Sequence, residues 1–169
     1  MIFEPVICTP SAWTSVCGRF GVHLFEGRVT VAVMDQMQSV GERFNLRQPA
    51  KRAEIVVVFP SDARMTHDER ARMARLIKHG EAYRAASATV ILAEGLRAAM
   101  QRSMLTGMMM IAPAPHPAKV FGTISEALKW LAPHAQEVCG PNLLLDELSS
   151  SLDAHMTQFL HRPDRPPQA

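Results

Sequence analysis

The stretch Glu54–Phe59, EIVVVF, decides the fold that this sequence predicts. Its consecutive β-branched residues, Ile55–Val58, are typical of a strand buried on both faces at the centre of a sheet. Pro60 lacks an N–H and cannot continue a central strand, so the strand is predicted to end at Phe59. A central strand needs other strands beside it and helices against it, and the flanking sequence supplies candidates for both.

Upstream of this strand, Phe20–Glu26 (FGVHLFE) is strand-like, and Gly27 can take the positive φ of a turn. Residues 1–19 leave the first strand open between Ile2–Cys8 and Trp13–Cys17. Thr30 suits a helix N-cap because apolar residues follow at helical spacing, namely Val33, Met37, Val40 and Phe44. A competing hairpin strand would use the alternation of Val29, Val31 and Val33.

Downstream, a long helix is predicted to start at Thr66 or Ser61 and to run to about Arg84, with Tyr83 in its apolar stripe. Thr89–Ala93 predicts the next strand. The following helix, from about Leu96 to Leu105, is expected to turn Leu96, Met100 and Met104 inward.

The rest of the α/β unit is short. Pro113–Pro117 (PAPHP) predicts a loop, and Lys119–Phe121 predicts a short strand. Thr123 and Glu126 have the spacing of a capping box, and the helix Ile124–Leu131 is expected to end before Pro133.

Gly140–Pro141 marks the boundary of the main unit, which we place at residues 1–139. Residues 140–161 form a C-terminal amphipathic helix with an apolar stripe over Asn142–Leu160, and residues 162–169 are a proline-rich tail expected to be disordered. The stripe must cover its own domain, pair with a second copy or enter a partner's groove.

Four segments, in this order, resemble STAS domains, and in particular stand-alone bacterial SpoIIAA-like proteins. They are the strand–helix junction Gly27–Thr30, the strand Glu54–Phe59, the strand–loop–helix Ala88–Arg97, and Val120–Leu131 (VFGTISEALKWL). The resemblance spans about residues 13–133. It implies an α/β fold with a mixed, mostly parallel sheet flanked by helices, to which this chain adds its C-terminal helix.

In the anti-sigma-factor antagonist branch of that family, a serine or threonine after the central strand is phosphorylated and releases the partner. The matching segment here offers Ser61 and Thr66, although the family's Asp-x-Ser-Gly pattern is not present. A phosphate would add charge beside free helix N–H groups, whereas the simpler role of either hydroxyl is to cap the helix. The partner-binding residues predicted with them are Asp62, Arg64, Arg72 and Arg75.

Composition limits the partners and the compartment. The chain has 169 residues and a net charge of +2, which is too mild for a nucleic-acid-binding surface. Three cysteines without a Cys-x-x-Cys pair favour reduced cytoplasmic thiols. The first residues lack the basic and apolar regions of a signal peptide, and no apolar run approaches the roughly 20 residues of a membrane span.

No histidine, cysteine or glycine spacing matches a metal site, a nucleophile motif or a nucleotide cradle, so neither metal nor cofactor is predicted. We therefore expect a non-catalytic protein-interaction module in bacterial signalling or regulation. It would bind a protein partner or form a homodimer. The alternatives are a protein that binds a small apolar or lipid-like ligand near the methionines at 104–110, and an enzyme with a cryptic site.

Overall fold

The structure is a computed structural model that describes residues 3–61, 64–111 and 114–163. Its strands are β1 (Glu4–Cys8), β2 (Ala12–Cys17), β3 (Phe20–Phe25), β4 (Arg52–Val58), β5 (Arg84–Ile91) and β6 (Ala118–Phe121). Its helices are α1 (Val31–Arg47), α2 (His67–Gly80), α3 (Gly95–Ile111), α4 (Ile124–Cys139) and α5 (Leu145–Leu160).

The strands form one mixed sheet in the order β1-β2-β3-β4-β5-β6. The pairs β1–β2 and β2–β3 are antiparallel, and β3–β4, β4–β5 and β5–β6 are parallel. The predicted α/β class, with a mixed and mostly parallel sheet flanked by helices, is confirmed. Both candidates for the first strand are strands, so a three-stranded meander precedes the first helix.

Helix α1 begins where the cap was predicted. Thr30 has extended backbone angles, and its Oγ1 accepts a hydrogen bond from the N–H of Val33 at 3.4 Å. The competing hairpin strand through Val29, Val31 and Val33 is wrong, because the cap and the longer helical pattern outweigh a short alternation. Gly27 takes the expected positive φ of +74° in the turn before it.

One face of the sheet is an apolar core. Alternate residues of β3, β4 and β5 point to it, and those at its centre, such as Ile55, Val57 and Val90, are fully buried. Helix α4 lies directly against β4 and β5 because alanines, including Ala88 on the sheet and Ala127 on the helix, permit a close approach. Helix α5 closes the same core.

Two predicted helix boundaries are wrong. Helix α2 ends at Gly80 and a 3-10 turn follows, so Tyr83 lies outside the helix and Arg84 begins β5. Its start was predicted at Thr66 or Ser61, and the structure has Thr66 as the N-cap. Helix α4 continues through Pro133, because Ala135 and the residues after it still pack on the core and Pro133 itself is exposed.

The inward face of α3 also differs from the prediction. Leu96 is 79% exposed and Met100 is 64% exposed, whereas Ala98 is fully buried. Arg102, one turn after Ala98, donates to the carbonyl oxygens of Ile91 and Ala93 at the end of β5. This anchor turns the Ala98–Arg102 side toward the sheet and leaves Leu96 and Met100 facing solvent. The side chain of Met104 lies outside what the structure describes.

The C-terminal helix α5 packs on its own domain. Leu148, Leu152 and Phe159 are buried in the main core. Beyond the helix, Arg162 is buried and bonds to the carbonyl oxygens of Phe159 and Pro10, and its Nη2 lies 3.1 Å from Glu26 Oε2. Residues 164–169 of the predicted tail, 162–169, lie outside the described ranges.

Candidate functional site

The two candidate phosphoacceptors occupy different settings. Ser61 is exposed just after β4. Thr66 caps the start of α2. Its Oγ1 accepts a hydrogen bond from the N–H of Glu69 at 3.2 Å, and Glu69 Oε2 accepts one from the N–H of Thr66 at 2.7 Å. Asp62, predicted beside them, lies outside the described residues.

The arginines predicted to dock a partner are not equivalent. Arg64 and Arg75 are exposed. Arg72 instead ties α2 to α1, since it donates to Asp35 Oδ1 and to Gln38 Oε1, each at 2.7 Å.

Glu69 also connects the start of α2 to the loop after β3. Its Oε1 accepts a hydrogen bond from Arg28 Nε at 2.8 Å, and its side chain is 4% exposed. The backbone hydrogen bond from Thr66, together with Arg28, lowers the pKa of Glu69. The carboxylate therefore stays ionised and holds the Gly27–Thr30 segment against α2.

A second group of polar residues is buried between the sheet and the C-terminal ends of α1 and α2. Glu54 of β4 accepts a hydrogen bond from Arg84 Nε at 2.6 Å and lies 3.6 Å from His23 Nε2 and 3.8 Å from Arg52 Nε. Burial alone would raise the pKa of Glu54, but the His23 and Arg84 side chains lower it well below its usual range. Arg52 donates to Asn45 of α1 at 2.6 Å. We call Glu54, Arg52, Arg84 and His23 the ion cluster.

Ser87 and His116 form a neighbouring pair, with Oγ and Nε2 3.1 Å apart. Burial lowers the pKa of His116, so the imidazole is favoured in its neutral form. A serine nucleophile also needs a group that orients its histidine and donors that stabilise an oxyanion. Within the described residues, His116 Nδ1 has no hydrogen-bond partner, so the orienting group is missing.

An open groove lies at the other end of the sheet, between α3 and α4 and along β6. It encloses about 920 Å³, and its walls carry Arg102, Lys119 and Lys129 with the half-buried indole of Trp130. The carboxylate in this lining, Glu126, accepts a hydrogen bond from the hydroxyl of Thr123 at 2.9 Å. A smaller hollow of about 510 Å³ shares Arg102 with this groove and opens at the carboxyl ends of β5 and β6.

Leu96 and Met100 lie on α3, the helix that forms one wall of this groove. They are four residues apart, so their side chains share one face of the helix. Of the large apolar side chains that the structure describes, Leu46 and Leu96 are the most exposed, at 82% and 79%. Exposed apolar side chains beside a cationic groove provide both contact area and charge for a partner.

The sequence predicted neither the groove nor the ion cluster. One feature of the sequence could have indicated the groove. No strand is predicted after Lys119–Phe121, and in a series of strands that alternate with helices the last strand can lie at an edge of the sheet. The indication for the ion cluster was weaker. Arg52 and Glu54 are two residues apart at the start of an apolar strand, so their side chains share one face of it.

Within residues 3–61, 64–111 and 114–163, no group of three or more histidine, cysteine, aspartate or glutamate side chains is placed to hold a metal ion. No described helix combines the length and the apolar character that crossing a membrane requires.

Comparison with known proteins adds no relative. No protein-family model, curated protein or solved structure matches this chain. The resemblance to STAS domains therefore stays a prediction, and the function has to be argued from the surface of the molecule.

Proposed function

We propose that this chain is a non-catalytic, STAS-like protein-interaction module in bacterial signalling or regulation. One observation carries the proposal, the solvent-facing pair Leu96 and Met100 on α3, the helix that forms one wall of the basic groove. Protein interfaces have a largely apolar centre, in which methionine and arginine are enriched, and a polar rim. This surface offers apolar side chains on α3 and charged side chains in the groove. The groove replaces the start of α2 as the principal docking surface, because Thr66 and Arg72 are already engaged within the chain.

The fold explains why α3 has apolar residues to spare for a partner. Its attachment uses Ala98 and the hydrogen bonds of Arg102 to the end of β5. Neither contact needs Leu96 or Met100, whose exposure gives no packing energy to the isolated chain. A partner that buries them would gain roughly 1.5–3 kcal/mol for each side chain before the costs of association.

The test compares affinity capture by three forms of the full chain. These are the unmodified protein, Leu96→Glu/Met100→Glu, and the control Ile77→Glu, which alters an apolar side chain that is 50% exposed on α2. We expect a stoichiometric partner, or a second copy seen by sedimentation velocity, with the unmodified protein and the control. The double variant should lose it.

Two results would revise the proposal. Loss with Ile77→Glu alone would return the docking surface to α2. A monomer with the same background proteins in all three captures would contradict an interaction module.

A further inference from the structure

The last strand of the sheet has one unpaired side. Strand β6 pairs with β5 and lies at the end of the strand order, so no strand of the described residues covers its outer edge. Ser87, aligned with Ala118, donates its N–H to Pro117 O at 2.9 Å. In a parallel ladder this register points the Lys119 backbone toward β5 and the N–H and C=O groups of Ala118 and Val120 outward.

The opposite edge of the sheet is protected in a way that β6 is not. Strand β1 contains Pro5, and its register shifts between Pro5 and Ile7. A proline and an irregularity both discourage another strand from pairing there. Strand β6 has neither, and its protection consists of its short length of four residues and the charge of Lys119.

The charge around this edge selects what can approach it. Arg102 comes from α3, Lys119 from β6 and Lys129 from α4, so cations stand on every wall of the groove. Among the described residues of the lining, the carboxylate is that of Glu126, which accepts a hydrogen bond from the hydroxyl of Thr123. The three cations therefore outnumber the acidic groups among these described residues. A basic strand would be repelled and an acidic one attracted, whereas an uncharged strand would gain nothing from these charges.

We infer that an extended, acidic segment of a partner protein binds this groove by adding a strand to the outer edge of β6. Backbone hydrogen bonds to Ala118 and Val120 give the segment its affinity, and its alternate side chains face the two walls. Acidic residues on one side meet Lys119 and Lys129, and those on the other side meet Arg102. The inference rests on the proposed function and names the chemistry of the partner.

The test uses a short fluorescein-labelled peptide of alternating Glu-Glu and Val-Val pairs, which places glutamates on both faces of an extended strand, with fluorescence anisotropy as the readout. Its matched control is the same peptide N-methylated on every residue, which keeps the charge and removes the backbone donors of both edges. The protein variant is Val120→Pro, which removes an outward N–H while leaving the bonds to β5 in place. Val120→Thr keeps that N–H and serves as its control.

We expect the peptide to bind the unmodified protein and Val120→Thr. Val120→Pro and the N-methylated peptide should each weaken binding by about tenfold, as expected for one or two lost hydrogen bonds. Lys119→Glu/Lys129→Glu should weaken it further, whereas Arg75→Glu on α2 should not. If Val120→Pro does not fold, as judged by circular dichroism, the N-methylated peptide on the unmodified protein decides the matter.

Equal binding of the N-methylated peptide, or no binding of the parent peptide, would overturn strand addition. The proposed function fails separately. A partner that is lost with Leu96→Glu/Met100→Glu but retained by a folded Val120→Pro would keep the interaction module and reject the strand.

Discussion

The face of the sheet that α4 and α5 cover is built from alanine, leucine and phenylalanine, whereas the face toward α1 and α2 holds a buried glutamate between arginine and histidine side chains. Both faces are buried, yet they depend on different forces. The apolar face is stabilised by the area removed from water and is insensitive to salt. The polar face depends above all on Glu54, because removing this carboxylate leaves Arg52 and Arg84 buried without a countercharge.

The largest effect is expected on the apolar face. Phe159 is fully buried and its ring lies 5.4 Å from that of Phe59. Phe159→Ala should lower the free energy of unfolding by about 4 kcal/mol, since it removes a large side chain and leaves a cavity. Urea denaturation measures it, with Leu96→Ala on exposed α3 as the control that changes little. A loss below about 1 kcal/mol would mean that α5 does not belong to the core.

A somewhat smaller effect is expected from the polar face. Glu54→Gln keeps the shape of the side chain but leaves Arg84 and Arg52 buried without a countercharge. We expect a loss of about 3 kcal/mol in the free energy of unfolding. Glu126→Gln, which changes an exposed carboxylate, is the matched control. If both variants are equally stable, the ion cluster is better described as solvated than as buried.

The fold followed from local patterns, and the ion cluster did not. EIVVVF predicted a central strand because hydrophobic period and β-branching act within a few residues. Whether a charged residue on a strand finds partners depends on distant parts of the chain. For Glu54 these partners include His23, 31 residues earlier, and Arg84, 30 residues later. Alternation of Arg52 and Glu54 indicates that one face is polar, but it does not say what that face meets.

The helix errors have the same origin. Pro133 was expected to end α4, yet packing of Ala135 on the core outweighs one lost backbone hydrogen bond. Leu96 and Met100 were expected to face inward because they are apolar. The hydrogen bonds of Arg102 to the end of β5 decide the rotation of α3 instead, and such an anchor has no sequence period. The groove beside α3 was missed with it.

The acid sensitivity of the two faces should begin at different pH values. On the apolar face, His155 is packed against Phe3 and Trp13, and burial lowers its pKa from 6.5. The unfolded chain then binds the proton first, so stability is full above about pH 6.5 and falls below it. On the polar face, the lowered pKa of Glu54 keeps stability full above about pH 4.3, the usual pKa of glutamate, and removes it at lower pH.

Variants separate the two windows. His155→Leu should reduce the slope of unfolding free energy against pH between about pH 7 and 5, where the partly buried His116 also contributes. Glu54→Gln should flatten the slope below about pH 4.5. Urea denaturation at a series of pH values measures both, and His67→Leu, which changes an exposed histidine, is the control for the upper window. If His155→Leu leaves the slope of unfolding free energy between about pH 7 and 5 unchanged, His155 does not make the apolar face sensitive to acid.

The smallest effect concerns the junction where the α1–α2 layer begins. Thr66→Ala removes the side-chain half of the capping box at α2 and should lower the free energy of unfolding by about 1 kcal/mol. Thr157→Ala makes the same change inside α5, where the hydroxyl bonds only to the carbonyl of Asp153, and should leave stability within about 0.5 kcal/mol. Thermal and urea denaturation compare the two. Thr66→Ala could instead be as stable as Thr157→Ala and lose partner binding. Thr66 would then act at an interface, and the docking surface would be the start of α2 and not the groove.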